Sequence, residues 1–303
     1  MTATSGYARK RPSSCASPPR WPRRLPWQIN RTWQNESIMN TDIYGSAIAP
    51  DFIAPKAFQH FPAETFPSIH PIHWLHSHFA VGGWSPLQRL SGMLTAHMTR
   101  IAPRNGFTWH PHRGLEIYTW VLEGTLYHED TTGGKGEIGP GELQRMFSGD
   151  WIEHQELNLR DEPARVIQIW FAAEIQHRGL EPHYQQAGPA DLPMRKTGDG
   201  TLWELIGGGS PMEPHMRGRL TASSLPAGGQ TTVEPPLPGE DLFLYVTDGT
   251  GTAKQNGNAP DLKQYDVILG TPEMGAVSVT AGEEALHYLS FYLPAFIPES
   301  PQA

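Results

Sequence analysis

From about residue 73 onward the apolar positions come in runs of strand length separated by glycine and proline turns. Residues 117–122 (IYTWVL) are β-branched and aromatic and lead into Glu123-Gly124. Residues 125–129 follow, closed by a turn at Thr132-Gly133-Gly134, and Gly139-Pro140-Gly141 marks another turn. Residues 165–171 (RVIQIWF) form a further strong strand. Short apolar runs at even spacing predict a β-sandwich or barrel. Residues 50–70, which mix Pro and Phe, read as an extended arm, and 73–101 as short apolar pieces around Gly82-Gly83. The polar stretch 176–201 reads as a connection. Beyond it the pattern recurs: 242–246 (LFLYV) before a glycine turn at 248–251, then 265–269, then 288–292. This recurrence predicts a duplicated β-barrel unit. The expected organisation is a basic tail over 1–38, a first barrel over 39–175, a connection over 176–201 and a second barrel over 202–303. The glycine run in 202–211 (LWELIGGGSP) lacks the Gly-Lys-Ser/Thr ending of a phosphate loop and reads as a tight turn.

Composition sharpens this picture. The chain has 303 residues, room for one large domain or two ordinary ones, and its 31 Gly and 29 Pro fit an all-β, turn-rich protein. One cysteine, Cys15, excludes a disulfide framework or a zinc-ribbon cluster. No run of about 18 apolar residues exists, so no membrane span is expected. Nothing argues for secretion, and a cytoplasmic location is expected. Net charge is −8, unevenly placed: residues 1–38 hold seven Arg/Lys and one acid, while 39–303 hold 16 basic and 30 acidic residues. An acidic body argues against direct nucleic-acid contact. The first 38 residues, rich in Arg, Pro and Ser, are expected to be disordered and to represent translated upstream sequence with the start at Met39; a basic tail and an organelle-targeting segment are the alternatives.

Chemistry concentrates in two short stretches. In 105–116 (NGFTWHPHRGLE), His110 and His112 stand two apart, and side chains two apart on a strand share a face. Pro111 between them restricts this piece to an edge strand or a strand start. In 148–156 (SGDWIEHQE), His154 and Glu156 stand in the same relation. Two such pairs facing each other across a barrel would offer three nitrogens and one carboxylate, a donor set suited to iron, manganese, nickel, copper or zinc. On a six-coordinate ion they leave up to two positions for substrate or dioxygen. His76 and His78 repeat the spacing without a partner pair and are expected to cover a loop or the barrel mouth. Glu116 is a rival ligand, an acceptor holding an imidazole N–H, or an ordinary paired carboxylate. His128, His177, His183, His215 and His287 are expected in surface or hydrogen-bonded roles.

The motifs HPHRG (110–114), VLEG (121–124), HED (128–130), GPG (139–141) and H-x-E (154–156) resemble the pirin family in order and spacing, and SP at 210–211 and DGTG at 248–251 are similar to pieces of its second barrel. The resemblance covers most of 73–294. It implies a double cupin whose first barrel holds one divalent metal ion, iron(II) foremost and nickel, copper, manganese or zinc otherwise, on His110, His112, His154 and Glu156. It implies a second barrel without a metal set. One departure is Gly149-Asp-Trp-Ile152, where the family has Gly-x-Gly-Ile; Trp151 is expected to narrow or reshape the pocket. The implied activity is a quercetin 2,3-dioxygenase-like oxidoreductase, with a small aromatic substrate and dioxygen as partners and Glu156 as the proton acceptor. Phe107, Trp109 and Trp151 are candidates to flank the substrate, core packing being expected for at least two of them. The alternatives are a non-enzymatic, metal-dependent, redox-responsive transcriptional cofactor acting through a protein partner, and another cupin activity such as an isomerase or lactonase.

Overall fold

A computed structural model describes residues 57–297, so the expectations for residues 1–38 lie outside the described residues. The first strands are β1 (Phe58–Phe61), β2 (Ser68–Ile72), β3 (Leu75–Val81), β4 (Met93–Ile101), β5 (Gly106–His112) and β6 (Leu115–Glu123). Then come β7 (Leu126–Asp130), β8 (Lys135–Ile138), β9 (Leu143–Phe147), β10 (Ile152–Leu157), β11 (Ala164–Ala172), β12 (His183–Ala187) and β13 (Met194–Thr197). The remainder are β14 (Gly200–Ile206), β15 (Arg219–Leu225), β16 (Gln230–Val233), β17 (Glu240–Asp248), β18 (Gly251–Lys254), β19 (Asp261–Leu262), β20 (Val267–Gly270), β21 (Val277–Ala281) and β22 (Leu286–Pro294). Helix is limited to three short 3-10 turns among the described residues, and no helix there is long and apolar enough to cross a membrane.

The strands form four sheets, two for each repeat. In the first half a seven-stranded sheet, β12-β9-β6-β11-β4-β3-β2, faces the four-stranded sheet β5-β10-β7-β8. The second half repeats the plan with β1-β20-β17-β22-β15-β14-β13 and β16-β21-β18-β19. This is the expected double-cupin architecture. Strand pairing crosses the anticipated boundaries in two places. The early strand β1 pairs with β20 of the second half. The 176–201 connection is itself structured, β12 extending the first long sheet at β9 and β13 the second at β14.

The outer faces of the two long sheets share one apolar cluster, in which Tyr118, Ile167, Ile169 and Phe171 join Leu220, Phe243, Tyr245 and Phe291. A strand buried on both faces loses its polar alternation, which is why β6 and β11 read as nearly continuous apolar runs. The inner faces differ between halves. The second half is filled by Leu242, Leu244, Val246, Ala253, Val277 and Val279. Among the described residues the first half holds two small apolar clusters there, around Val121, Leu126 and Val166 at one end and Ile117, Met146 and Ile152 at the other. Polar side chains occupy the band between them.

Candidate metal centre

That band is assembled by β5, β10 and β7. In the β5–β10 ladder His154 lies opposite His110, and a register shift between His154 and Glu156 sets Glu156 opposite Phe107. In the β10–β7 ladder His154 lies opposite Asp130 and Glu156 opposite His128. The strand β5 is the edge of its sheet, where the missing N–H of Pro111 can be tolerated. Ligand atoms of His110, His112 and His154 all fall within 4.8 Å of one another, and those of His128, His154 and Glu156 form a second such group. Three of the four expected side chains therefore meet directly, and Glu156 joins them through the shared His154.

Burial disfavours the charged form of the imidazoles of His110, His112 and His154. Burial, reinforced by the neighbouring His110, depresses His112 to about 3. Burial and three nearby imidazoles hold His154 far below the ordinary histidine range. His110 is lowered by burial, partly offset by its hydrogen bond to the Thr108 carbonyl. That bond, 2.7 Å from Nδ1, places the ring hydrogen on Nδ1 and leaves Nε2 as a bare lone pair. His112 Nε2 and His154 Nε2 are buried with no hydrogen-bond partner among the described residues. Buried polar atoms are ordinarily satisfied, and neutral imidazole with a free lone pair is the form that binds metal. The residues present thus fit a divalent cation.

Glu156 is buried and held by neutral donors. Gln144 Nε2 donates to Oε1 at 2.9 Å, Gln168 Nε2 to Oε2 at 2.8 Å, and the Thr119 hydroxyl to Oε1 at 3.4 Å. Trp170 Nε1 donates to Gln168 Oε1 at 3.1 Å, which fixes the amide orientation, and the Trp170 ring lies edge-on to His112 at 5.1 Å. Sequence reading did not single out Thr119, Gln144, Gln168 or Trp170. The signal available was a polar residue at an inward position of an otherwise apolar strand.

Glu116 is not in either ligand group. The turn at Gly114 (φ 62°) separates β5 from β6, so the face shared with His112 is lost. Glu116 instead pairs with Arg145 Nε at 2.6 Å and accepts the Tyr118 hydroxyl and the His215 backbone N–H. His76 lies by Ser68 and stacks on His70, whereas His78 is buried against Tyr265 and Tyr245 of the second half and not at the barrel mouth. His128 is hydrogen-bonded, as expected, but within the centre. His177, His183, His215 and His287 join no ligand group among the described residues. Core packing was expected for at least two of Phe107, Trp109 and Trp151, yet Trp109 and Trp151 are 46% and 51% exposed. Trp151 lines an outer cleft with Leu180, Thr131 and Glu181 and does not narrow the interior. Phe107 packs edge-on against Trp74.

Known proteins similar to this chain identify its family. The sequence model of the pirin family, "Pirin", matches residues 84–171. A pirin-like protein of Caulobacter vibrioides is 32% identical over 192 residues, covering 61% of this chain and 76% of the relative. A Pasteurella multocida protein described as "Putative quercetin 2,3-dioxygenase" is 32% identical over 136 residues, 44% of this chain; the chain spans little more than half (58%) of that relative's length. The structure of the bacterial pirin YhhW from Escherichia coli in complex with nickel(II) superposes with a TM-score of 0.65 at 26% identity, covering 78% of this chain and 99% of that one. With its double-cupin fold, its histidine-rich first lumen and a relative of this identity and coverage, the chain belongs to the pirin family.

Proposed function

We propose that the protein is a metal-dependent dioxygenase acting on a flavonol-like aromatic substrate, with His110, His112, His154 and Glu156 holding one divalent ion, iron(II) foremost. The observation that carries the reading is the pair of buried, unpartnered imidazole nitrogens of His112 and His154 beside the free Nε2 of His110. The name of the Pasteurella relative supports the substrate class.

When bound, the ion would supply a Lewis-acidic point at which an aromatic hydroxyl becomes acidic and meets dioxygen. The side chains of this protein do the rest. Glu156, whose oxygens are positioned by Gln144 and Gln168, would accept the hydroxyl proton on loosening from the ion. Trp170, edge-on to His112, and Phe107, tilted against His110 at 6.3 Å, offer apolar surface to a planar ring.

The test is anaerobic incubation of iron(II)-loaded protein with quercetin followed by admission of oxygen. Oxygen-dependent loss of the flavonol absorbance is expected, absent in His110→Ala. Persistence of that absorbance with metal-loaded protein overturns the activity. Metal analysis checks the ligands separately: His110→Ala and Glu156→Ala each lower the bound metal, and full retention by both overturns the assignment.

A further inference from the structure

A second layer of side chains lies behind His154, and it has a direction. We infer that Asp130 and His128 form a hydrogen-bond relay that fixes the tautomer of His154, so that its Nε2 presents a lone pair to the centre. The inference rests on the reading of His154 as a ligand.

The relay begins at Asp130. Its Oδ1 accepts the Thr132 backbone N–H at 2.7 Å, the Thr132 hydroxyl at 2.6 Å and the Gly134 N–H at 3.1 Å. Its Oδ2 is left to face His128 Nε2 at 3.0 Å. Gly134 leaves the carboxylate room, because a Cβ there would lie 2.3 Å from Oδ2 and 2.8 Å from the Tyr184 Cβ. An ionised carboxylate only accepts, so the His128 ring hydrogen sits on Nε2. With the hydrogen there, His128 Nδ1 is an acceptor, and it faces His154 Nδ1 at 3.4 Å. His154 Nδ1 must then carry the hydrogen. Its Nε2 is left bare, and it is this nitrogen that is buried without a partner.

The geometry also explains why His128, which belongs to the second ligand group, is not itself assigned as a ligand. Both its nitrogens are engaged, and its ring is clamped by near-parallel stacking on Tyr184 of β12 at 4.5 Å. His112 and His154, by contrast, each keep an unpartnered Nε2. Residues that orient a ligating histidine through its far nitrogen commonly change metal affinity by about 10–100-fold when replaced.

Two substitutions test the relay while preserving shape. In Asp130→Asn an amide N–H can replace the acceptor that faces His128; the carbonyl oxygen stays with Thr132 and Gly134. His128 must then accept at Nε2 and donate from Nδ1, which drives the His154 hydrogen onto Nε2. In His128→Gln the amide N–H can still donate to Asp130 and the carbonyl oxygen still accept from His154 Nδ1–H, so the polarity survives.

The first readout needs no metal: long-range proton–nitrogen NMR of histidine-labelled, metal-free protein. The Nδ1–H tautomer is expected at His154 in wild type and His128→Gln, and the Nε2–H tautomer in Asp130→Asn. The second is nickel(II) titration calorimetry with the cobalt(II) ligand-field spectrum. Affinity should fall about 10–100-fold in Asp130→Asn and change less than about threefold in His128→Gln. An Nε2–H tautomer at His154 in wild type, or equal affinity in wild type and Asp130→Asn, overturns the relay. A wild-type protein with the Nδ1–H tautomer that binds no metal leaves the relay standing and overturns the ligand reading instead.

Discussion

Two buried glutamates of the first half illustrate how a residue's neighbours decide its task. Glu116 is matched by the guanidinium of Arg145, itself 1% exposed. Glu156 has no ion pair with Lys or Arg among the described residues; only amides and a hydroxyl donate to it, and burial disfavours the charged form of the neighbouring His154. A buried charge without a counter-charge is costly, so Glu156 calls for a cation that Glu116 already has. The two carboxylates should therefore respond oppositely to neutralisation. Glu116→Gln strands Arg145 and is expected to destabilise the metal-free protein by about 3–5 kcal/mol with metal content intact. Glu156→Gln is expected to leave metal-free stability unchanged or raised while lowering metal content. Denaturant unfolding and metal analysis of the two variants check this; a Glu116→Gln protein that lost metal but not stability would restore Glu116 as a ligand.

At the scale of the element, the centre depends on how closely β5 lies along β10. Gly106 makes that approach possible: a Cβ there would come 2.4 Å from the Glu156 carbonyl oxygen and 2.6 Å from Leu157 Cα. Gly106→Ala forces the strands apart and is expected to cost about 1–3 kcal/mol. It should also weaken metal binding, because the separation falls on the ladder that sets His110 opposite His154. Thermal unfolding with and without added nickel(II) checks both effects, and a wild-type metal-induced shift in the variant would show that the spacing of these strands is not limiting. The same strands show what was legible beforehand. Alternation along a strand correctly brought His110 and His112 together, and His154 and Glu156 to one side. The same alternation turns Trp109, one residue before His110, and Trp151, three before His154, outward, where the structure has them. It failed for Glu116 because the Gly114 turn resets the alternation. Gln144, Gln168 and Thr119 were out of reach because they come from β9, β11 and β6 of the opposite sheet, and local spacing says nothing about which strands a fold will set face to face.

Across the whole molecule the duplicated plan carries two different interiors. The second half has Val277 and Val279 on β21, in the place that β10 occupies in the first half, and its lumen is mainly apolar, its buried polar side chains there including the hydroxyls of Thr221, Ser223, Thr231 and Ser290. Duplication was legible from the repeated run-and-turn pattern, and so was the shortage of histidines over 202–294. The consequence for acid sensitivity follows from the burial of the first half's imidazoles. His97, which lies opposite Gln168 on β4 and outside both ligand groups, is depressed by burial to about 4. Above pH 6.5, the unfolded histidine value, neither state of the protein holds a proton at this position and its contribution to stability is complete. Below it the unfolded chain takes up the proton and the folded chain refuses it, so stability is lost as pH falls from 6.5 towards 4, where the slope ends. One such group contributes a slope of roughly 1.4 kcal/mol per pH unit, about 3 kcal/mol over the interval. Metal-free protein should accordingly weaken on acidification, and His97→Gln should flatten the dependence by about one proton's worth. Denaturant unfolding at intervals from pH 7.5 to 4 measures both curves. Parallel curves would mean that His97 gains its proton equally in the folded and unfolded states, and that the polar band is open enough to water to hydrate an imidazolium there.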